Sequence, residues 1–255
     1  MDELILSLSG IEEKRSKWDH YIFNGIGVPR VSDILSSTIG REYLKTWAAK
    51  LGKRYEYESA RILDTGSMVH EMIEDFLLKG YIKDNYNYPN ADSIQAHKAY
   101  ENFIAFWNDM RNNGYTINIL FIEKVLTCPY YGGTCDCIAE IIKPDGTRGN
   151  YILDFKTSKT IDFSYFLQTI LYQDAVNYNI LNGNTELPHI DGVGVIRVDK
   201  DKSKYEYMIA NNGEDFTFLN SVREAAINMV NWYYHLQSVQ YEYKTFRKEY
   251  FKRGY

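Results

Sequence analysis

Up to about residue 115, apolar side chains recur at three- and four-residue intervals, the period of an amphipathic helix. Val28-Pro29-Arg30-Val31 is an extended approach, and Ser32 is placed to cap a helix carrying Ile34 and Leu35. A short stretch over 41–50 sets Tyr43, Leu44 and Trp47 at helical spacing, and a longer one over 56–78 aligns Ile62, Val69, Ile73, Phe76 and Leu77. The polar segment 80–90 predicts a loop, and 93–110 predicts another amphipathic helix with Phe103, Phe106 and Trp107.

From Thr116 the texture changes to runs rich in Ile, Val, Phe and Leu, as in strands. Strands are predicted over 116–128, over 134–142 after Gly132-Gly133, and over 151–157 after the turn Pro144-Asp145-Gly146. A helix over 162–181, a hairpin of 192–198 with 205–210, and a helix from 214 to about 240 complete the chain. The order predicts an α/β fold: a small mixed central sheet flanked by helices, with a helical N-terminal elaboration. The division falls at 1–115 and 116–255, with no linker separating the parts.

The composition is that of a globular protein: of 255 residues, 45% are hydrophobic and 25% charged, which excludes an intrinsically disordered chain. A net charge of −5 argues against a general nucleic-acid coat protein but leaves room for an enzyme with a local basic groove. No run approaches the roughly 20 apolar residues that span a bilayer. The beginning, Met1-Asp2-Glu3-Leu4 with Glu12 and Glu13, resembles neither a secretory signal nor a mitochondrial presequence. Three cysteines cannot form a disulfide framework. The expectation is a cytoplasmic protein of a bacterium or a phage-infected cell, with no membrane contact.

The chemistry concentrates in Gly133-Thr134-Cys135-Asp136-Cys137 and Tyr151-Ile152-Leu153-Asp154-Phe155-Lys156-Thr157-Ser158. Alternation along a strand puts Asp154 and Lys156 on one face, and antiparallel pairing about Asp145-Gly146 brings Asp136 opposite 154–156. Two carboxylates so close repel unless a cation lies between them, and an oxygen-rich site suits Mg²⁺ or Mn²⁺. Asp-x-Lys alone describes many surface hairpins with a cross-strand ion pair; Asp136 is what shifts the balance. Gly66, His70 and Glu74 lie at i, i+4, i+8 on one helix face. Gly66 is read as allowing close approach to another backbone, His70 as reaching the metal, and Glu74 as orienting its ring from outside. The alternative is a half-buried histidine paired with Glu74. Gln168 and Tyr172 share a face of the next helix, either placed to bind a phosphate or a base or forming plain helix surface.

Together these segments resemble the PD-(D/E)XK nuclease superfamily, in its RecB-type exonuclease branch. The matching pieces are Gly66 to Glu74 with His70, Glu123, Gly133 to Asp136, Asp154 to Ser158, and Gln168 to Tyr172. Val28 to Leu35, with Trp47 and Gly52, narrows the likeness to the group of mitochondrial genome maintenance exonuclease and related phage exonucleases. The match runs from about Val28 to Tyr178.

The resemblance implies a restriction-endonuclease-like core and a metal-dependent exonuclease acting on single-stranded DNA or DNA ends in repair, recombination or replication. Alternatives are a double-strand exonuclease or endonuclease of recombination type, and a catalytically silent DNA-binding protein. It implies His70, Asp136 and Asp154 as metal ligands, joined by the Phe155 backbone carbonyl and, in some relatives, by Glu123. Asp136, Asp154 and Lys156 would be catalytic, with Lys156 positioning or activating the attacking water. Gln168, Tyr172, Thr157, Ser158 and Lys159 would hold the substrate, and local charge read from the sequence itself, Arg197 and a basic tail (Lys244, Arg247, Lys248, Lys252, Arg253), would add grip. Tyr243, Phe246, Tyr250 and Phe251 within that tail suit stacking on bases; the alternative is a closing amphipathic segment with a solvated basic face. Thr65 stands where relatives often carry arginine. Some relatives hold an iron–sulfur cluster, but Cys128, Cys135 and Cys137 do not fit that ligand pattern, so none is expected. Cys135 and Cys137, flanking Asp136, are expected to share the strand face opposite to it.

Overall fold

The computed structural model describes residues 21–39 and 48–252, with side chains as far as residue 249. Most of the predicted stretch 41–50, including Tyr43, Leu44 and Trp47, lies outside the described residues. So do Arg253 and the side chains of Tyr250, Phe251 and Lys252.

Among the described residues two short antiparallel strands come first, β1 (Tyr21–Phe23) and β2 (Ile26–Val28), which the helical reading of this region missed. Asn24 and Gly25 between them have φ of 47° and 84°, the left-handed pair a two-residue hairpin needs. Helix α1 (Val31–Thr38) follows. Its N-cap is Arg30, not Ser32, because Arg30 is still extended and the next residue is already helical. Helices α2 (Tyr55–Lys79) and α3 (Ser93–Asn112) are next; the Asp92 carboxylate accepts the Gln95 amide and starts α3.

Then come β3 (Thr116–Cys128), β4 (Tyr131–Ile142), β5 (Arg148–Lys156), α4 (Phe163–Leu181), β6 (Gly192–Val198), β7 (Tyr205–Asn211) and α5 (Phe216–Lys252). The order and class match the sequence expectation: mixed α/β, with a five-stranded mixed sheet flanked by helices. Helix α5 continues well past its predicted end near residue 240. None of the described helices is long and apolar enough to cross a membrane.

The sheet runs β3-β4-β5-β6-β7, antiparallel except for β5 beside β6, which α4 connects as a crossover. One face is covered by α1, α4 and α5, whose Ile34, Ile170 and Leu219 meet Ile138, Ile152 and Val193. The other is covered by α2 and α3, whose Val69, Met72 and Phe103 meet Ala139, Leu153 and Phe155. The helices of the N-terminal part therefore share a core with the sheet.

The sheet splits at one place. Strand β4 pairs with β5 from Ile142↔Arg148 to Cys137↔Leu153; beyond that β4 stays with β3, and β5 with β6. Asp136 and Asp154 are the first residues past the split. The Phe155 amide donates instead to the Asp136 carboxylate, at 2.8 Å.

Alternation also breaks here. Glu123, in register between Ile122↔Cys137 and Lys124↔Cys135, has φ of 45° inside a strand. Cys135 lies in the α4 layer and Cys137 in the α2 layer, both buried. The expectation that they share a face is corrected: β4 itself departs from regular alternation across Asp136, where its pairing with β5 stops.

Candidate functional site

Helix α2 crosses over the split edge of the sheet and reaches its strands in turn. Glu74 acts electrostatically on Glu123 of β3. His70 Nδ1 lies 3.5 Å from Asp136 Oδ2 of β4. A Cβ added at Gly66 would sit 3.5 Å from Thr157 Oγ1, just after β5. That is an ordinary contact, so the reading of Gly66 as needed for close backbone approach is corrected.

One ligand atom each from His70, Glu123 and Asp136 falls within 4.8 Å of the others. Asp154 is outside this group. It is 1% exposed, with Lys156 Nζ at 2.7 Å from Oδ1 and 2.6 Å from Oδ2. Only the first approach has hydrogen-bond geometry, so Oδ2 is a buried oxygen without a hydrogen bond. The structure thus gathers His70, Asp136 and Glu123, the last a ligand that the resemblance implies only in some relatives, and holds Asp154 one strand over on Lys156. Tyr165, 5.2 Å below the Lys156 ammonium, was missed in the sequence; its position one helical turn before Gln168 was the available signal.

The charges are arranged for a cation. Although Glu123 is exposed, partial desolvation first, then Asp136 and Glu74, push its carboxyl up to about 7. Two like charges within 4.8 Å of each other repel by about 3.5 kcal/mol or more at an effective dielectric near 20, a repulsion that a proton on Glu123 or a bound cation relieves. Burial, reinforced by Lys156, pushes the His70 imidazole down against the pull of Asp136, toward the neutral ring that binds metals. Burial also pushes Asp154 upward, partly offset by Lys156. Burial opposes the Lys156 ammonium, but Asp154 and Asp136 outweigh it and hold its pKa above the ordinary lysine value. A nitrogen, two carboxylates and a nearby unsatisfied buried oxygen fit a hard divalent ion.

Other expected residues fall differently. Glu74 makes no hydrogen bond to His70 among the described residues; the Phe155 backbone bonds that imidazole instead. Tyr172, expected on the substrate, is 5% exposed, accepts a 3.0 Å hydrogen bond from Gln168, and has its ring against Gly133. It is a core residue that steadies half-buried Gln168. Arg197, expected to grip substrate, is 1% exposed and bonded to Glu206, Asp199 and the Ser158 carbonyl. Thr157 lines the cleft, Ser158 donates to the Thr160 carbonyl, and Lys159 is exposed. Lys244, Arg247 and Lys248 extend α5, which covers the sheet face opposite α2.

His70, Glu123, Asp136 and Thr157 open onto a cleft of about 730 Å³ along α2, from Ile62 and Leu63 to Lys79, Lys83 and Tyr88. Lys79 bonds Asp75 at 2.5 Å and Lys83 bonds Glu71 at 2.5 Å, so both ammonium groups are neutralised by cleft carboxylates.

No protein-family model matches this chain, and no curated protein does. Among solved structures, a phage related exonuclease from Haemophilus somnus 129PT is similar at 14% identity, covering 82% of this chain and 95% of that one with a TM-score of 0.24. So low a superposition score defines no shared fold.

The conformation of Glu123 gives a direct test. A non-glycine residue at φ of 45° carries backbone strain, of order 1–3 kcal/mol, that persists where the surroundings impose it. Glu123→Gly removes the strain and a crowded carboxylate together. The variant should unfold in urea at the wild-type midpoint or above it, yet require more Mn²⁺ for half-maximal metal binding. A large loss of stability with unchanged metal affinity would make Glu123 a structural residue only.

Proposed function

We propose that this protein is a divalent-metal-dependent deoxyribonuclease, working as an exonuclease on single-stranded DNA or DNA ends. The observation that carries this reading is the convergence of His70, Glu123 and Asp136 at the split in the sheet, beside the buried Asp154–Lys156 pair. Mg²⁺ or Mn²⁺ held by His70, Glu123 and Asp136, with Asp154 and the Phe155 carbonyl beside them, would supply Lewis acidity toward a phosphodiester oxygen and a more acidic water.

The chain's own groups do the rest. His70 presents a neutral imidazole, because burial disfavours its charged form. Lys156 stays charged at neutral pH and offers an ammonium where negative charge accumulates around phosphorus. Tyr165 and Asp154 hold that ammonium in place. Thr157 and the facing turn of α2 bound the strand on either side.

The test compares linear and covalently closed single-stranded DNA with Mg²⁺, Mn²⁺ or chelator. Linear strands should be degraded to short products only with metal, and circles should resist. Full activity in chelator would remove the metal from the mechanism. Equal rates on circles and linear strands would replace the exonuclease with an endonuclease.

A further inference from the structure

Helix α5 is longer than the core it covers. Through its first half one face is buried against α1 and α4, by Leu219, Val222, Ala226, Val230 and Tyr233. Continued along the helix, that face reads Gln237, Tyr241, Lys244 and Lys248, and every residue from 239 to 249 is exposed. The stretch from 239 to 252 therefore projects past the core by about 20 Å, at 1.5 Å per residue.

The apolar line of α5 does not stop where the core stops; it moves to another face. Met229, Trp232, Leu236, Val239, Tyr243 and Phe246 follow one another at intervals of three, four, three, four and three, the heptad spacing of a coiled-coil seam. With Trp232, Val239 and Phe246 at d and Leu236 and Tyr243 at a, the flanking g positions are His235, Glu242 and Glu249, and the e positions past the core are Gln240 and Arg247. All five are polar. Four of the seam residues are exposed, Trp232 at 52%, Val239 at 45%, Tyr243 at 60% and Phe246 at 60%. Taking a whole aromatic side chain as about 200 Å², these four expose roughly 400 Å², an apolar patch of the size that marks interaction sites. Two such seams together would bury about 800 Å², and about 1,200 Å² with the flanking side chains, the lower limit for a specific interface.

Heptad spacing keeps a seam in contact with a second helix that coils around it, and charge selects the occupant and its direction. In a parallel pair each g residue meets the e residue five positions later on the other helix. Glu242 then meets Arg247 of the second copy, and symmetry forms this pair twice. An antiparallel pair centred on Tyr243 would instead set Glu242 against Glu242 of the second copy. We propose that two copies of this chain associate through the C-terminal half of α5 as a parallel two-stranded coiled coil. The two sheets then lie at the same end of the pair, and each cleft stays open, because it lies on the face that α2 covers and not on that of α5. This association goes beyond the nuclease reading and does not depend on it.

The experiment measures the mass of the full chain without DNA, by light scattering and sedimentation, as wild type and with Val239→Glu and Tyr243→Glu together. Wild type should show the mass of two chains at about 50 µM and dissociate on dilution through the micromolar range, as suits an interface near the lower size limit. The double variant should stay at the mass of one chain with the wild-type melting temperature, since both side chains lie outside the core. Glu242→Arg and Arg247→Glu should each weaken association about tenfold, and the two together should restore it. Val239→Cys should cross-link to its own copy on oxidation, because identical seam positions meet in a parallel, in-register pair. A dimer that the double variant leaves intact, or one in which Val239→Cys does not cross-link, would overturn the arrangement. So would wild type at the mass of one chain throughout. In that case a loss of oligonucleotide affinity in the double variant would make the seam a nucleic-acid surface, and a loss of thermal stability would make it a seat for residues 1–20.

Discussion

Lys156→Ala is expected to lower turnover by roughly 10²–10⁴-fold, about 3–5 kcal/mol of transition-state stabilisation, with little change in DNA affinity. The ammonium acts mainly where charge builds up during reaction, and the groups that gather a metal remain. The structure adds a cost not visible in the sequence. Asp154 is 1% exposed and depends on Lys156 as its counter-ion, so the variant must protonate that carboxyl or destabilise the fold. Lys156→Arg keeps the charge and separates the two effects: it should keep the melting point and lose most of the activity, because a planar guanidinium is a poor substitute at this site. His70→Ala should fail differently. It removes a neutral ligand, so raising the metal concentration should recover part of its activity, and the preference for Mn²⁺ over Mg²⁺ should shrink. Metal-independent loss in His70→Ala, or rescue of Lys156→Ala by metal, would reverse the assigned roles.

Gly192→Ala is expected to cost about 3 kcal/mol or more in stability, lowering Tm by roughly 6–12 °C for a domain of this size. Gly192 opens β6 between β5 and β7, and a Cβ there would press on the Ala210 carbonyl well inside van der Waals contact. It would also meet the Tyr151 ring at 2.7 Å. A backbone oxygen cannot rotate away, so β7 must shift and give up its pairing. Gly133→Ala is the comparison, since its Cβ meets the side chain of Tyr172, which has a rotamer to change. Thermal unfolding should rank Gly192→Ala as the more damaging. The reverse order would mean that β7 is more yielding than the Tyr172 packing.

Periodicity carried most of the fold. Thr116–Cys128 and Gly192–Val198 have the predicted bounds because β-branched residues and flanking glycines mark them clearly. The hairpin at Asn24-Gly25 was legible too, since Asn-Gly between apolar residues is a strong turn signal, but helical spacing nearby obscured it. The site was readable as a set of residue types and unreadable as a geometry. Strand alternation assumes regular φ, and Glu123 departs from it, so the sharing of a site by His70, Glu123 and Asp136 depends on an irregularity that no spacing rule encodes. Helix α4 buries Phe166, Leu167, Ile170 and Leu171 around most of its girth, so spacing could not tell that Tyr172 points inward. Arg197 misled for a similar reason: in a strand buried throughout, a lone arginine is an internal tie.

The split sheet has a consequence for how the protein comes into being. Glu123, Asp136 and Asp154 sit on three successive strands, and His70, on a much earlier helix, joins them only when α2 is laid across strands that have themselves paired and parted. Contacts of such long sequence separation form late, after much loop-closure entropy has been met. A chain still emerging from the ribosome, before β5 is made, would lack the Asp154–Lys156 pair and the Phe155 amide that anchors Asp136. Assembly of the site is thereby a signal of finished folding.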